Sequence, residues 1–133
     1  QSGIDVIAKM NQERGSLTFQ IAGEDVGILI GRRGQTLDAL QYLLSIVVNR
    51  YSDKFIPVVL DAENFRERRK RTLEQLALRI AEKVAATGKE TTLEPMSSKE
   101  RRIIHAKLQN HPKVSTYSKG VDPNRRIVIG LKH

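Results

Sequence analysis

Residues 27–44 read GILIGRRGQTLDALQYLL. An apolar run ends at Ile30, Gly31-Arg32-Arg33-Gly34 follows, and apolar residues at helical spacing resume at Leu37. Two glycines three residues apart allow a sharp reversal and let another backbone approach closely, because neither carries a Cβ. The helix expected from Gln35 leaves unpaired N–H groups in its first turn, and its dipole favours an anion there. Arg32 and Arg33 add two full charges beside those donors. The corner suits phosphate oxygens. Taken alone, four residues are equally compatible with a tight helix-helix turn carrying two solvated arginines.

The surrounding pattern places the corner between small sheets. Ile4, Val6, Ala8 and Met10 alternate on one face of a strand over 4–10, and Leu17, Phe19 and Ile21 do so over 17–22, with a polar, Gly-containing hairpin connection between. EDVGILI is a short helix. Gln35 to about Arg50 carries Leu37, Leu40, Leu43, Leu44, Val47 and Val48 at the spacing of a helix packed on a sheet. FIPVVL, 55–60, is a strand whose Pro57 confines it to an edge or to the strand's first residues. Residues 64–87 form a long helix with Phe65, Leu73, Leu76, Ile80 and Val84 inward and Gly88 as its cap. Beyond it come a short strand TTLEP, a helix opened by the capping-box pair Ser97 and Glu100, and a hairpin of 113–118 with 125–131. The order β-β-α-α-β, long helix, β-α-β-β predicts an α+β chain of two small modules with a joint near residue 88.

A second constellation lies in ERRIIHAKLQNH, residues 100–111. Arg101 and His105 are four apart and share a helical face, next to the apolar stripe of Ile104 and Leu108. Arg102 and Gln109 extend a donor-rich strip, and Arg125, Arg126 and Lys119 continue it if the hairpin packs alongside. Arginine offers a planar fork to phosphate, and histidine a single N–H. The spacing by itself also fits a solvated helix face.

The charge balance agrees with a polyanionic partner. Lys plus Arg number 23 against 15 acids, a net charge of +8. Cysteine is absent, which excludes disulfides and Cys-based zinc sites, and three histidines do not make a metal cluster. No run approaches the roughly 18 apolar residues of a membrane span, and no signal peptide is visible. Only 5% of residues are aromatic and none is Trp, which argues against a platform of stacked bases.

Other classes fit less well. Asp61 and Glu63 are close enough to hold Mg²⁺, so a metal-dependent nuclease using them or His105 and His111 is one alternative. The simpler reading makes Asp61, Glu63 or Asn64 the cap of the long helix. The run RERRKR, 66–71, supports a membrane-surface or protein-interaction adaptor, but its helix lacks an exposed aromatic wedge.

Strand, short helix, I-G-R-R-G, long helix, strand resembles a KH domain of type II, in which a G-x-x-G loop clamps the backbone of about four single-stranded nucleotides. The first helix of that pattern is missing, and the chain is expected to start just after it. The resemblance implies that Gly31, Arg32, Arg33 and Gly34 form the clamp and that Ile30 borders the apolar groove for bases. An Arg-x-x-x-His helix between a short strand and a hairpin resembles the R-three-H domain, which binds single-stranded nucleic acid through that face. The implied contacts are Arg101, Arg102 and His105, with Arg125 and Arg126. The tandem resembles the Jag (SpoIIIJ-associated) family of bacterial RNA-binding proteins. That resemblance implies two small α/β-sandwich modules: a KH domain over 1–88, including the connecting helix at about 64–88, and an R-three-H domain over 89–133. It implies a cytoplasmic, non-enzymatic binder of single-stranded RNA, with single-stranded DNA left open, and no metal or cofactor. It further implies a regulator of cell elongation, division or sporulation, with a small single-KH protein or a second copy as partner and no stable membrane insertion.

Overall fold

The computed structural model describes residues 3–133, and the chain divides into two compact units between Arg68 and Arg69. The first unit holds β1 (Asp5–Asn11), β2 (Ser16–Ala22), α1 (Val26–Ile30), a single 3₁₀ turn (Arg32–Gly34), α2 (Gln35–Asn49) and β3 (Val58–Ala62). β1 and β2 pair antiparallel with Ala8 opposite Phe19, and β2 and β3 pair parallel with Phe19 opposite Leu60. A parallel pair needs a crossover, which α1 and α2 supply. Their inner faces close the core of Ile21, Val26, Leu37, Leu60 and Ala62, with Phe19, Leu40, Leu44 and Phe65 packed against it.

Three details depart from the sequence pattern. The strand expected at 55–60 begins only at Val58. Pro57 has no N–H to give a ladder, and the Ile56 backbone is satisfied by the Asn49 side chain, which accepts its N–H at 2.6 Å and donates to its carbonyl at 2.9 Å. The register puts Val6, Ala8 and Met10 on the same side as Ile21, Phe19 and Leu17, as the alternation requires, yet Val6 is 59% and Met10 52% exposed. The core cluster is built over β2 and β3, and among the described residues it does not extend to β1. The α2 stripe is also narrower than its apolar spacing: Leu37, Leu40 and Leu44 serve the core, whereas Leu43 and Val47 are exposed.

The second unit holds the remaining turns of α3 (Phe65–Thr87), β4 (Thr91–Thr92), α4 (Ser98–Leu108), β5 (Val114–Lys119) and β6 (Arg126–Leu131). Its antiparallel sheet has the order β4-β6-β5, with Thr116 opposite Ile129. Leu73, Ala77, Ala81 and Val84 of α3 meet Ile104 and Leu108 of α4 over Val114, Ile127 and Ile129. This explains why the division falls at Arg68/Arg69 rather than near residue 88: the apolar stripe of α3 from Leu73 onward is buried in the second core. Ala77 and Ala81, fully buried, carry that stripe more than Leu76 does, because a small residue lets a helix lie close to its neighbours. Gly88 ends the helix at φ +74°, its N–H donating to the Val84 carbonyl at 2.8 Å.

α4 begins at Ser97, whose Oγ accepts the Glu100 N–H at 3.3 Å. The buried Glu100 carboxylate is gripped by Arg69 of α3, Nε to Oε2 at 2.7 Å and Nη2 to Oε1 at 3.3 Å. The capping-box spacing is thus used for a fork-to-fork ion pair within the second unit. Removing one partner leaves the other charged and largely dehydrated. Arg69→Ala should lower stability by about 2 kcal/mol, read from the denaturant midpoint, whereas Ala at the exposed neighbour Lys70 should change it by less than about 0.5 kcal/mol. Equal midpoints for the two variants would show that the pair contributes nothing.

Candidate nucleic-acid interface

In the first unit the corner at 31–34 is set by backbone geometry. Gly31 has φ +71° and Gly34 φ +79°, both in the region that favours glycine. A Cβ on Gly31 would meet the Thr36 hydroxyl and one on Gly34 would lie 2.6 Å from the Phe65 ring. Between them Arg33 takes a left-handed φ of +56° and Arg32 is exposed. Asp38, the acid of the first α2 turn, pairs with Arg66 at 2.6 Å, which offsets its charge beside the loop. Ile30 ends α1 partly buried against the core, Val26 and Leu37 lie within the core, and Ile28 points to solvent. Ile30 combines partial exposure with direct adjacency to Gly31.

In the second unit, Arg101, Arg102, His105 and Arg125 line one open cavity of about 350 Å³. α4 supplies the first three at helical spacing. The β5 face toward α4 supplies Thr116 and Ser118, and Arg125 enters just before β6. Arg101 is only 8% exposed; its Nη1 donates to the Met96 carbonyl at 2.6 Å and stands 3.6 Å from the Asp122 carboxylate on the β5–β6 connection. His105 is exposed and shares a 2.5 Å hydrogen bond between Nδ1 and Thr116 Oγ1. Arg125 donates to the Gly120 carbonyl at 2.6 Å, which steadies the hairpin turn. Three guanidinium groups, an imidazole and hydroxyls around one recess form a set of donors suited to phosphate oxygens.

Arg126 does not join them. Ile127 and Ile129 face the core, so by alternation Arg126 and its cross-strand neighbour Lys119 lie on the other face of the sheet. Tyr117 is on that outer face as well, its hydroxyl donating to Glu90 at 3.2 Å. Desolvation holds the Tyr117 phenol above its ordinary pKa, followed by its hydrogen bond to Glu90 and that group's charge. Gln109 ends α4 and takes no part in the cavity lining. The hydroxyls of Thr116 and Ser118 and the carboxylate of Asp122 were not anticipated. The signal for the first two was present: in VSTYSK, Thr116 and Ser118 share the face of the buried Val114.

Most of the residues behind the alternative readings hold internal partners. Asp61 Oδ1 accepts the Arg66 N–H at 3.2 Å, in the first turn of α3. His111 Nδ1 accepts the N–H groups of Lys113 and Val114 at 3.0 and 3.3 Å. Within RERRKR, Arg66 binds Asp38, Gln41 and the Leu60 carbonyl, Arg68 binds the Glu63 carbonyl, and Arg69 binds Glu100. Among the described residues no group of three or more His, Cys, Asp or Glu is placed to hold a metal ion, and no helix is long and apolar enough to cross a membrane.

Comparison with known proteins agrees with both halves of this geometry. Residues 1–59 match the KH domain of the KhpA/KhpB family, and residues 71–130 match the R-three-H domain. The chain is 53% identical over 129 residues to the RNA-binding protein KhpB of Clostridium symbiosum, covering 97% of this chain and 58% of that protein. It is 44% identical over 126 residues to KhpB of Bacillus subtilis, covering 92% of this chain and 60% of the relative. With KhpB of Streptococcus pneumoniae the identity is 35% over 129 residues, covering 95% and 39%. The chain thus spans three fifths or less of the length of these relatives. It carries a KH domain of the KhpA/KhpB kind followed by an R-three-H domain, and is similar across nearly every residue to the KhpB, or Jag, proteins.

Proposed function

We propose that the chain binds single-stranded RNA through its backbone, without catalysing a reaction on it. The observation that carries this reading is the convergence of Arg101, Arg102, His105 and Arg125 on one cavity beside the hydroxyls of Thr116 and Ser118. The relatives named as RNA-binding proteins support the polymer, and the net charge of +8 supports its sign. The Gly31–Gly34 corner is the second contact: Arg32 and Arg33 meet phosphates at the start of α2, and Ile30 borders the bases. Two weak contacts on one chain gain avidity when one strand reaches both. Phosphate contacts position a strand without reading its sequence.

Family resemblance extends the proposal to a cytoplasmic regulator of cell elongation, division or sporulation with a KH-domain partner, either a small single-KH protein or a second copy. The exposed apolar residues of α2, Leu43, Ile46 and Val47, support a protein contact on the first unit, since burying them removes apolar surface from water.

Four measurements test the reading. Arg32→Asp with Arg33→Asp should weaken binding of single-stranded RNA at least about tenfold, or 1.4 kcal/mol. The fold should survive, because Arg32 is exposed and aspartate tolerates the left-handed φ at position 33; a folded double variant that binds like the parent would remove the loop from the interface. Arg101→Ala should weaken different sequences by similar factors and lower the salt slope of log K by about 0.7 per lost phosphate. Because Arg101 is buried against the Met96 carbonyl while His105 is exposed, a thermal melt should show a loss for Arg101→Ala and little for His105→Ala. Asp122→Asn should strengthen binding several-fold at low salt, because its carboxylate competes with phosphate for Arg101; unchanged affinity would place the phosphate away from that guanidinium.

A further inference from the structure

A second cationic recess opens on another side of α4, within the same unit. At 100° per residue α4 has three faces. Ile104 and Leu108 point to the core, and Ser98, Arg101 and His105 to the cavity described above. Lys99, Ile103 and Lys107 line a groove of about 650 Å³ whose opposite wall is Lys70 and Glu74 of α3. Arg102 lines both recesses, and so stands on the crest between them. Ala106, beside it on the groove side, is too small to obstruct passage across that crest.

The groove therefore gathers four cations, Lys70, Lys99, Arg102 and Lys107, against the single carboxylate of Glu74. Its apolar floor is limited to Ile103 and Ala106. An amphipathic acidic helix would need a longer apolar stripe to seat against. A flexible polyanion needs only spaced positive charge and a continuous path, and both are present. A helix with its side chains is about 10 Å across, so a strand passing over Arg102 spans the crest in about two to three nucleotides.

We propose that the α3–α4 groove is a second track for single-stranded RNA, holding the phosphates that follow those in the Arg101–His105 cavity, with Arg102 as the shared contact. The proposal rests on the RNA-binding reading of that cavity. It makes the second unit a two-recess binder whose affinity grows with strand length, and it gives Lys70 and Lys107 a role that the Arg-x-x-x-His spacing does not include.

The test uses the full chain carrying Arg32→Asp and Arg33→Asp, so that the first unit's loop contributes nothing. Probes are single-stranded RNAs of about four and about twelve nucleotides, the range of site sizes common for single-strand binders. Adding Lys70→Ala with Lys107→Ala should weaken the longer strand about fivefold or more, lower its salt slope by about 1.4 for two phosphate contacts, and leave the shorter strand unchanged. Both lysines are exposed, and a matching thermal melt confirms that the fold is intact. Arg102→Ala should weaken both strands. Equal losses for both lengths would mean a general field effect, and no loss for either would mean a solvated face; each overturns the track. Retained RNA affinity together with lost binding of a poly-glutamate peptide assigns the groove to an acidic protein segment and also overturns it. If the parent of this series binds neither strand, the reading of the Arg101–His105 cavity fails first, and the proposal with it.

Discussion

Gly34 lies so close to the Phe65 ring that a Cβ would sit 2.6 Å from it, and the loop of the first unit depends on that contact. Phe65 opens α3 and packs against the first core, while Gly34 opens α2. Their approach fixes where α2 begins. The next residue, Arg66, extends the tie: it pairs with Asp38, binds Gln41 at 3.1 Å, and reaches the Leu60 carbonyl at 2.9 Å. Gln41 in turn accepts the Leu60 N–H at 2.9 Å. One arginine of a run that looks like solvated charge thus binds α2 to β3. The guanidinium groups of Arg32 and Arg33 are carried by backbone that is held from beneath, which in the proposed binding mode lowers the entropy lost on contact with phosphate.

The second unit holds its charges differently. Arg101 is held by burial, with one N–H given to a carbonyl, and Asp122 beside it partly balances its charge. Its neighbour Glu100 is gripped by Arg69, so the first turn of α4 is tied on the core side to α3. Arg102 and His105, both exposed, are then the adaptable members of the set. In the proposed binding mode, an exposed loop follows a backbone wherever it runs, and a half-buried helix face sets where a phosphate sits.

The parts legible in the sequence are those governed by local chemistry. The corner at 31–34, the helix from Gln35, the Ser97 cap, the Gly88 stop and the final hairpin all follow from φ preference, periodicity and capping within a few residues. The tandem of KH and R-three-H was legible for the same reason, since G-R-R-G and R-x-x-x-H are short motifs set in a readable order of elements. Alternation gave the facing of β1 correctly, whereas helical spacing counted Leu43 and Val47 into the packed stripe of α2 that only Leu37, Leu40 and Leu44 form. They did not give the burial, because which face is covered depends on where other elements lie.

By itself, then, the sequence determined the elements, their order, the positions that demand glycine, and the pairing of Arg101 with His105 on one helix face. Each of these is decided by the backbone of a single segment. Only the tertiary structure decided which cations are available. It committed Arg66, Arg68 and Arg69 to internal partners, turned Arg126 to the outer face while bringing Arg125 to the cavity, buried Arg101 and exposed His105. It also gave most of α3 to the second core. A charge is free or engaged according to what lies opposite it, and what lies opposite is set by packing between segments far apart in the chain.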